Sequence, residues 1–524
     1  MNTKVAERIW ARDASLWKTD ADSVKIIKNS LGWLTVADEM LGVAGELTDF
    51  AESVRARGFQ HVMVCGMGGS SLCPEVLART FGRQAGFPEL LVLDSTDPDV
   101  IAAFNERIDV ERCLFIIASK SGSTTEPNVF QKYWYEEVGK RRENPGDNFV
   151  AITDPGSPLV DTATELKFQK TFLNQSDIGG RYSALSYFGM VPAALMGLDL
   201  RRLLEGAVRA GKSADAAVKL GTVMGDNALA GRDKLTLVID QRLETLGLWI
   251  EQLIAESTGK EGKGILPVNG ETLGTPDDYG NDRLFVSISL GDVGGETRTK
   301  LDRLAGAGHP VEYRELTDLY DLGAEFFEWE FATAVAGWRL GINPFDQPNV
   351  QEAKDATKEL LASFERRGRL DERETVAADD VVAIKAHLAT VKPGDYIAFL
   401  NYIEETPEVD QKFQEIRTEL RDATKCAVTI GYGPRFQHST GQLHKGGPDT
   451  GVFFQIIAND KKDFAIPGEP FTFSILKQAQ ALGDFRALAK RGRRVIGINL
   501  GDDTLGGLDI ISAALGGPPR PSAF

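Results

Sequence analysis

Two segments of this chain set small, flexible and hydroxyl-bearing residues directly behind apolar runs. Gly66-Met67-Gly68-Gly69-Ser70-Ser71 follows VMVC at 62–65, and Ser119-Lys120-Ser121-Gly122-Ser123-Thr124-Thr125-Glu126-Pro127 follows CLFIIA at 113–118. Glycine lets a backbone approach a ligand closely, and the start of a helix presents free N–H groups to an anion. In the second segment four hydroxyl residues fall within positions 119–124. A helix cap at Thr124 or Thr125, with Glu126 and Pro127 in the first turn, accounts for one or two of them. The full set describes a neutral cradle for a phosphate. Neither segment has the spacing of a Walker loop or of a dinucleotide fingerprint. The expected ligand is therefore a small phosphorylated metabolite rather than a nucleotide.

Three further elements carry chemistry. In Gly179-Gly180-Arg181-Tyr182-Ser183, flanking glycines let a guanidinium enter a crowded cleft, where it could stabilise a developing oxyanion. A salt bridge beside a turn would look the same. Gln252 and Glu256, four apart, share one face of a helix whose apolar stripe is Leu243, Leu246, Ile250, Leu253 and Ile254. An ordinary solvated face has that spacing too, but here it runs into Ser257-Thr258-Gly259-Lys260. Finally, two of the chain's five histidines, His438 and His444, sit in a loop rich in glycine, hydroxyls and lysine, from Phe436 to Gly447.

These residues need a scaffold. Continuous apolar runs at 62–65, 90–93, 113–118 and 149–152 alternate with amphipathic stretches, which predicts a parallel sheet covered on both faces. Ligands of such sheets gather at the carboxyl ends of the strands, where both loops lie. A second unit starts near 235 (LTLVID, then LFVSISL at 284–290, then a helical stretch at 324–341), and a third follows the charged, linker-like segment 366–382, with strands at 396–401, 427–432 and 495–500 and a helix near 407–424. Residues 1–58 read as helical, giving four units: 1–58, 59–215, 216–365 and 366–524.

Composition sets the outer bounds. With 59 Lys and Arg against 76 Asp and Glu, the net charge is −17, unsuited to general binding of nucleic acid or an anionic membrane. Four cysteines in 524 residues do not make a disulfide scaffold, and no CxxC or HExxH pattern supports a metal site. No leader-like start and no bilayer-length apolar run is present, so the expectation is a cytoplasmic enzyme.

At this point GMGGSS, SKSGSTTE, SDIGGRYS, the Gln252…Glu256-Ser257…Gly259-Lys260 helix end and Phe345-Asp346-Gln347…Lys354 together resemble the glucose-6-phosphate isomerase family. The resemblance is nearest to the isomerase half of bifunctional transaldolase–glucose-6-phosphate isomerase fusions and extends over nearly the whole chain. One departure is Asn349-Val350-Gln351, where the family usually has Gly-Val-Glu. The resemblance implies an α/β fold with two flavodoxin-like sugar-isomerase domains, plus here a helical N-terminal segment and a C-terminal α/β extension. It implies interconversion of glucose 6-phosphate and fructose 6-phosphate through a cis-enediol, with neither metal nor redox cofactor. Carried over by position, Ser119, Ser121 and Thr124 would hold the phosphate, with Lys120 and Ser123 in the same loop. Gly69 and Ser70 would touch the sugar, with Gln252 beside it, and Gln347 would bind sugar or phosphate. Glu256 would be the base, Arg181 the stabiliser of the enediolate, and Lys354 an assistant in ring opening.

The ring-opening histidine is left between His309, which occupies the family's usual interval, and the C-terminal pair His438 and His444. The expectation is that the C-terminal loop reaches the sugar and supplies one of the pair, so that a monomer suffices, although the family's common members borrow this histidine from a second subunit in a homodimer. Rival readings are a dual phosphoglucose/phosphomannose isomerase, a non-catalytic sugar-phosphate sensor, and a C-terminal third that serves as an appendage.

Overall fold

In the computed structural model, residues 2–372 and 374–515 are described. Their strands fall into three parallel sheets. The first contains β1 (His61–Gly66), β2 (Glu89–Leu93), β3 (Cys113–Ala118), β4 (Phe149–Thr153) and β5 (Lys170–Leu173), in the order β2-β1-β3-β4-β5. The second contains β6 (Lys234–Ile239), β7 (Leu266–Val268), β8 (Arg283–Leu290) and β9 (Val311–Leu316), in the order β7-β6-β8-β9. The third contains β10 (Val376–Ala377), β11 (Tyr396–Tyr402), β12 (Ala427–Tyr432), β13 (Gly451–Ile457) and β14 (Arg494–Asn499), in the order β10-β14-β13-β11-β12. Helices cover the sheets. This is the α/β class expected, because strands such as β3 are buried along their whole length and need cover on both faces.

Strand order reverses direction between β1 and β3 in the first sheet and between β11 and β13 in the third. Such reversals open a crevice at the carboxyl ends of the strands. The β1–β3 register pairs Gly66 with Ala118, so the two hydroxyl- and glycine-rich loops leave the sheet at one level.

The charged segment 366–382 is not a free linker. Arg366 and Arg367 end the helix Val350–Arg367, and Val376 and Ala377 pair with Ile498 and Asn499 as an edge strand. Its polar sequence conceals the strand because an edge strand buries little side-chain surface.

The third sheet is docked onto the first. Ile466, Phe473 and Leu476 join the core formed by Phe115, Phe130, Tyr133 and Trp134, with Phe473 edge-on to Tyr133 at 5.5 Å between ring centroids. The C-terminal third is thus part of the main body and not an appendage. Among the described residues, no helix is long and apolar enough to cross a membrane.

Candidate active site

Glycine decides how close the converging segments come. Gly68 has φ +56°, and a Cβ there would stand 2.5 Å from Gln252 Nε2 and 2.8 Å from the carbonyl of His438. A Cβ on Gly69 would stand 1.9 Å from the carbonyl of Gly180. All three distances are shorter than real Cβ contacts, so side chains here would push apart the loop after β1, the Arg181 turn, the Gln252 helix and the C-terminal loop.

Gln252 and Glu256 lie one turn apart on the buried helix Leu246–Thr258. The Gln252 amide donates to Glu256 Oε2 (3.2 Å) and to the backbone carbonyl of His438 (2.8 Å). Arg181 is 3% exposed and ion-pairs with Glu256 at 3.7 Å. Its remaining N–H groups donate to Ser257 Oγ (2.7 Å), Gln347 Oε1 (2.9 Å) and the carbonyls of Pro344 (2.6 Å) and Asp346 (3.0 Å). A guanidinium held from five sides can stabilise a new negative charge without reorganising. Lys260, on the same helix end, donates to Asp346 Oδ1 (2.7 Å) and the Asn343 carbonyl (2.9 Å). Burial, followed by the nearby charge of Arg181, pulls its ammonium down to about 8. Sequence reasoning used Lys260 as part of a motif but gave it no role. Here it pins the 343–346 turn that carries Gln347.

The hydroxyl loop folds as its composition suggests. Ser119 Oγ donates to Thr124 Oγ1 (3.2 Å) and Ser123 Oγ to Ser121 Oγ (3.0 Å). Thr124 is the residue preceding the helix Thr125–Gly139, but its side chain makes no cap bond, so the capping reading does not use its hydroxyl. Ser121 and Ser123 are exposed to the solvent that a phosphate would displace. Lys120 turns away from this cluster. Its ammonium pairs with Asp154 and donates to the Ser176 carbonyl at 2.9 Å.

The histidines separate clearly. His438 Nε2 lies 3.1 Å from Oε1 of buried Glu126, in the first turn of the helix after the hydroxyl loop. Burial alone would push the Glu126 carboxyl up. His438, with Lys354 at longer range, outweighs it and holds the carboxyl below its usual range. Lys354 lies on Val350–Arg367, half-buried. His444 is not at the site. It is 2% exposed on the short helix Gly441–Gly446, stacked on Tyr396 and edge-on to Phe453, and neither ring nitrogen has a partner. Burial holds its ring far below the usual titration range, so it stays neutral. His309 is likewise elsewhere, packed edge-on against Tyr279 and Phe285 at the second sheet. Glu126 is the residue that sequence reasoning missed as a site group. It reads locally as an acid at a helix start, and its partner lies 312 positions away.

Among the described residues, Asp97, Asp99 and Asp460 bring three carboxylates within reach of one cation. Lys477 already places its ammonium on Asp97 (2.8 Å) and on Asp460.

Residues 34–269 match the family model described as phosphoglucose isomerase. Among curated relatives, the glucose-6-phosphate isomerase of Rubrobacter xylanophilus is 29% identical over 368 residues, 59% of this chain and 84% of that protein. The glucose-6-phosphate isomerase of Parabacteroides distasonis is 26% identical over 408 residues, 66% of this chain and 90% of that protein. A solved structure of a hypothetical protein from Thermus thermophilus superimposes with TM-score 0.59 at 25% identity, covering 69% of this chain and 94% of that one. A glucose-6-phosphate isomerase from Chlamydia trachomatis shares the fold, with TM-score 0.52 at 20% identity over 69% of this chain and 79% of that one.

Proposed function

We propose, from the phosphoglucose isomerase domain at residues 34–269 that sets this chain among the relatives of glucose-6-phosphate isomerase, that it is an aldose–ketose isomerase. It interconverts glucose 6-phosphate and fructose 6-phosphate by ring opening and a cis-enediol, a step of glycolysis and gluconeogenesis, in the cytoplasm. The observation that carries the reading is the meeting of Glu256, Arg181 and the His438–Glu126 pair on the Gly68–Ser70 loop.

The phosphate sits on Ser119, Ser121, Ser123 and Thr124 and the N–H groups beside them. Anchored there, remote from the reacting carbons, it orients the sugar. His438, steadied by Glu126, moves a proton between the ring oxygen and the anomeric hydroxyl, with Lys354 beside the pair. Glu256 then takes the C–H proton next to the carbonyl and returns it to the neighbouring carbon. A carboxylate suits this because it can act as base and then as acid without leaving its place. Arg181 faces the enediolate oxygen. Its charge is permanent, so it stabilises the intermediate without competing for the proton. Every one of these groups belongs to one chain, and a monomer is competent, whether or not two chains associate.

The test is a coupled assay with fructose 6-phosphate, reading glucose 6-phosphate, on the parent and on Glu256→Gln. Activity in the parent and its loss in a folded variant support both enzyme and base. A folded parent that binds the sugar phosphate without turning it over overturns the isomerase in favour of a sensor.

A further inference from the structure

The Glu126 carboxylate has a second partner, contributed by the third sheet's helix Phe473–Lys490. Gln480 Nε2 donates to Glu126 Oε1 at 2.6 Å, the same oxygen that meets His438 Nε2 at 3.1 Å. Its other amide atom is committed too, since Thr96 Oγ1 donates to Gln480 Oε1 at 2.6 Å. The backbone carbonyl of Gln480 accepts from Gln437 Nε2 at 3.0 Å, and Gln437 is the residue before His438. Gln480 is 2% exposed, and Thr96, in the loop after β2, is fully buried.

This arrangement leaves the amide one orientation. The Glu126 carboxylate, which only accepts when ionised, requires the NH2 of Gln480 to face it. The carbonyl oxygen then faces Thr96, whose hydroxyl donates to it. A flipped amide would set its oxygen against a buried carboxylate, a cost that burial makes large. A glutamine fixed in this way donates to the ionised carboxylate and favours that form.

We propose that Gln480, anchored by Thr96, is a positioning residue for ring opening: it fixes the Glu126 carboxylate, and through it and Gln437 the place of His438. The proposal rests on the isomerase reading above. It assigns the C-terminal region a second task beside supplying His438, which is to hold the histidine's partner on the first sheet. The titratable groups that act on Glu126 are His438 from the C-terminal loop and Lys354 from the helix Val350–Arg367, and neither is altered by the variants below.

The experiment is the pH dependence of kcat/KM with fructose 6-phosphate for the parent, Gln480→Leu, Gln480→Glu, Thr96→Val and Thr96→Ser. Gln480→Leu removes one hydrogen bond to a charged group, so kcat/KM falls about tenfold. Glu126 then protonates more readily, and the acid limb moves to higher pH by roughly half a unit to one unit. Gln480→Glu, which keeps the shape, moves the limb in the same direction and serves if the leucine variant does not fold. Thr96→Val follows with a smaller shift, and Thr96→Ser restores the parent profile. An unmoved acid limb in folded Gln480 variants, whatever the rate, overturns the proposal and leaves Gln480 as packing. Carbon-13 titration of the Glu126 carboxyl in parent and Gln480→Leu gives a readout free of turnover. An inactive parent therefore discards the isomerase reading alone, while the carboxyl titration still decides the role of Gln480.

Discussion

The first and third sheets share a parallel plan and a reversal of strand order, yet their crevices hold different things. At the carboxyl ends of β1 and β3 the loops carry glycines and hydroxyls, the cradle proposed above for a phosphate. At the carboxyl ends of β11 and β13 the loops instead dock onto the first unit, beside open cavities lined in part by Tyr402, Ile457 and Asp460. Asp99 accepts from the backbone N–H groups of Lys461 (3.2 Å) and Lys462 (3.1 Å), and Asp97 accepts from Lys477. Arg435, in the loop after β12, completes the dock with two bonds to Asp94 at 2.9 and 2.8 Å. The architecture supplies a polar crevice in both cases. The loop residues decide whether it receives a substrate or a neighbouring domain.

If this contrast holds, substitutions in the first crevice cost activity without stability, and substitutions in the third cost stability first. The largest effect belongs to Glu256→Gln, for which kcat/KM falls about 10³-fold or more while the thermal midpoint stays that of the parent. Lys477→Met comes next. It leaves buried Asp97 and half-buried Asp460 without their cation, and denaturant melting should lose about 3 kcal/mol, with activity per folded molecule retained. A Lys477→Met protein as stable as the parent would break the comparison. His438→Ala stands between the regions, since its loop leaves the third sheet and its ring meets the first. Removing a positioned acid–base group lowers kcat about 10²-fold, and rapid mixing should place the loss in ring opening, not in enediol formation. Ser121→Ala, at the rim of the ligand crevice, raises KM about fivefold by losing one hydrogen bond worth roughly 1 kcal/mol, with kcat little changed.

The smallest effect sharpens the contrast by pH. The unfolded chain takes a proton on His444 below about pH 6.5, whereas the buried ring refuses it. Parent stability therefore declines as pH falls through that value, because the unfolded state binds more protons. His444→Leu removes this component, flattening the acid side of the stability curve, and leaves turnover at neutral pH at the parent level.

Much of this contrast was legible in the sequence, unevenly and for physical reasons. The largely buried strands β1, β3, β8 and β11 declare themselves as apolar runs bounded by turns. The helix Pro407–Thr424 begins at a proline in its first turn and lies where periodicity sets it. β13, a central strand, is harder to see because Gln455 interrupts its apolar run. Its amide is satisfied by the Ala481 carbonyl at 3.0 Å, a partner no local pattern reveals. β9, half-exposed and polar, and β5, four residues at an edge, bury too little to leave a signal. In the site, local motifs mark the hydroxyl loop, Arg181 and Glu256. The choice between His438 and His444 is invisible locally, since both share one loop. It is made by which side of that loop meets Glu126 and which meets the aromatic face of the third sheet. Glu126 and Gln480 were equally hidden, because each acquires its meaning from residues hundreds of positions away.

The dock between the first and third sheets also has a consequence for dilution. A histidine borrowed from another molecule is present in proportion to how much of that molecule is dissolved. His438 is instead delivered by a region tethered to its own target, where the effective concentration is set by the length of the connection and not by the solution. Specific activity should then stay level as the protein is diluted far below the concentrations at which chains meet.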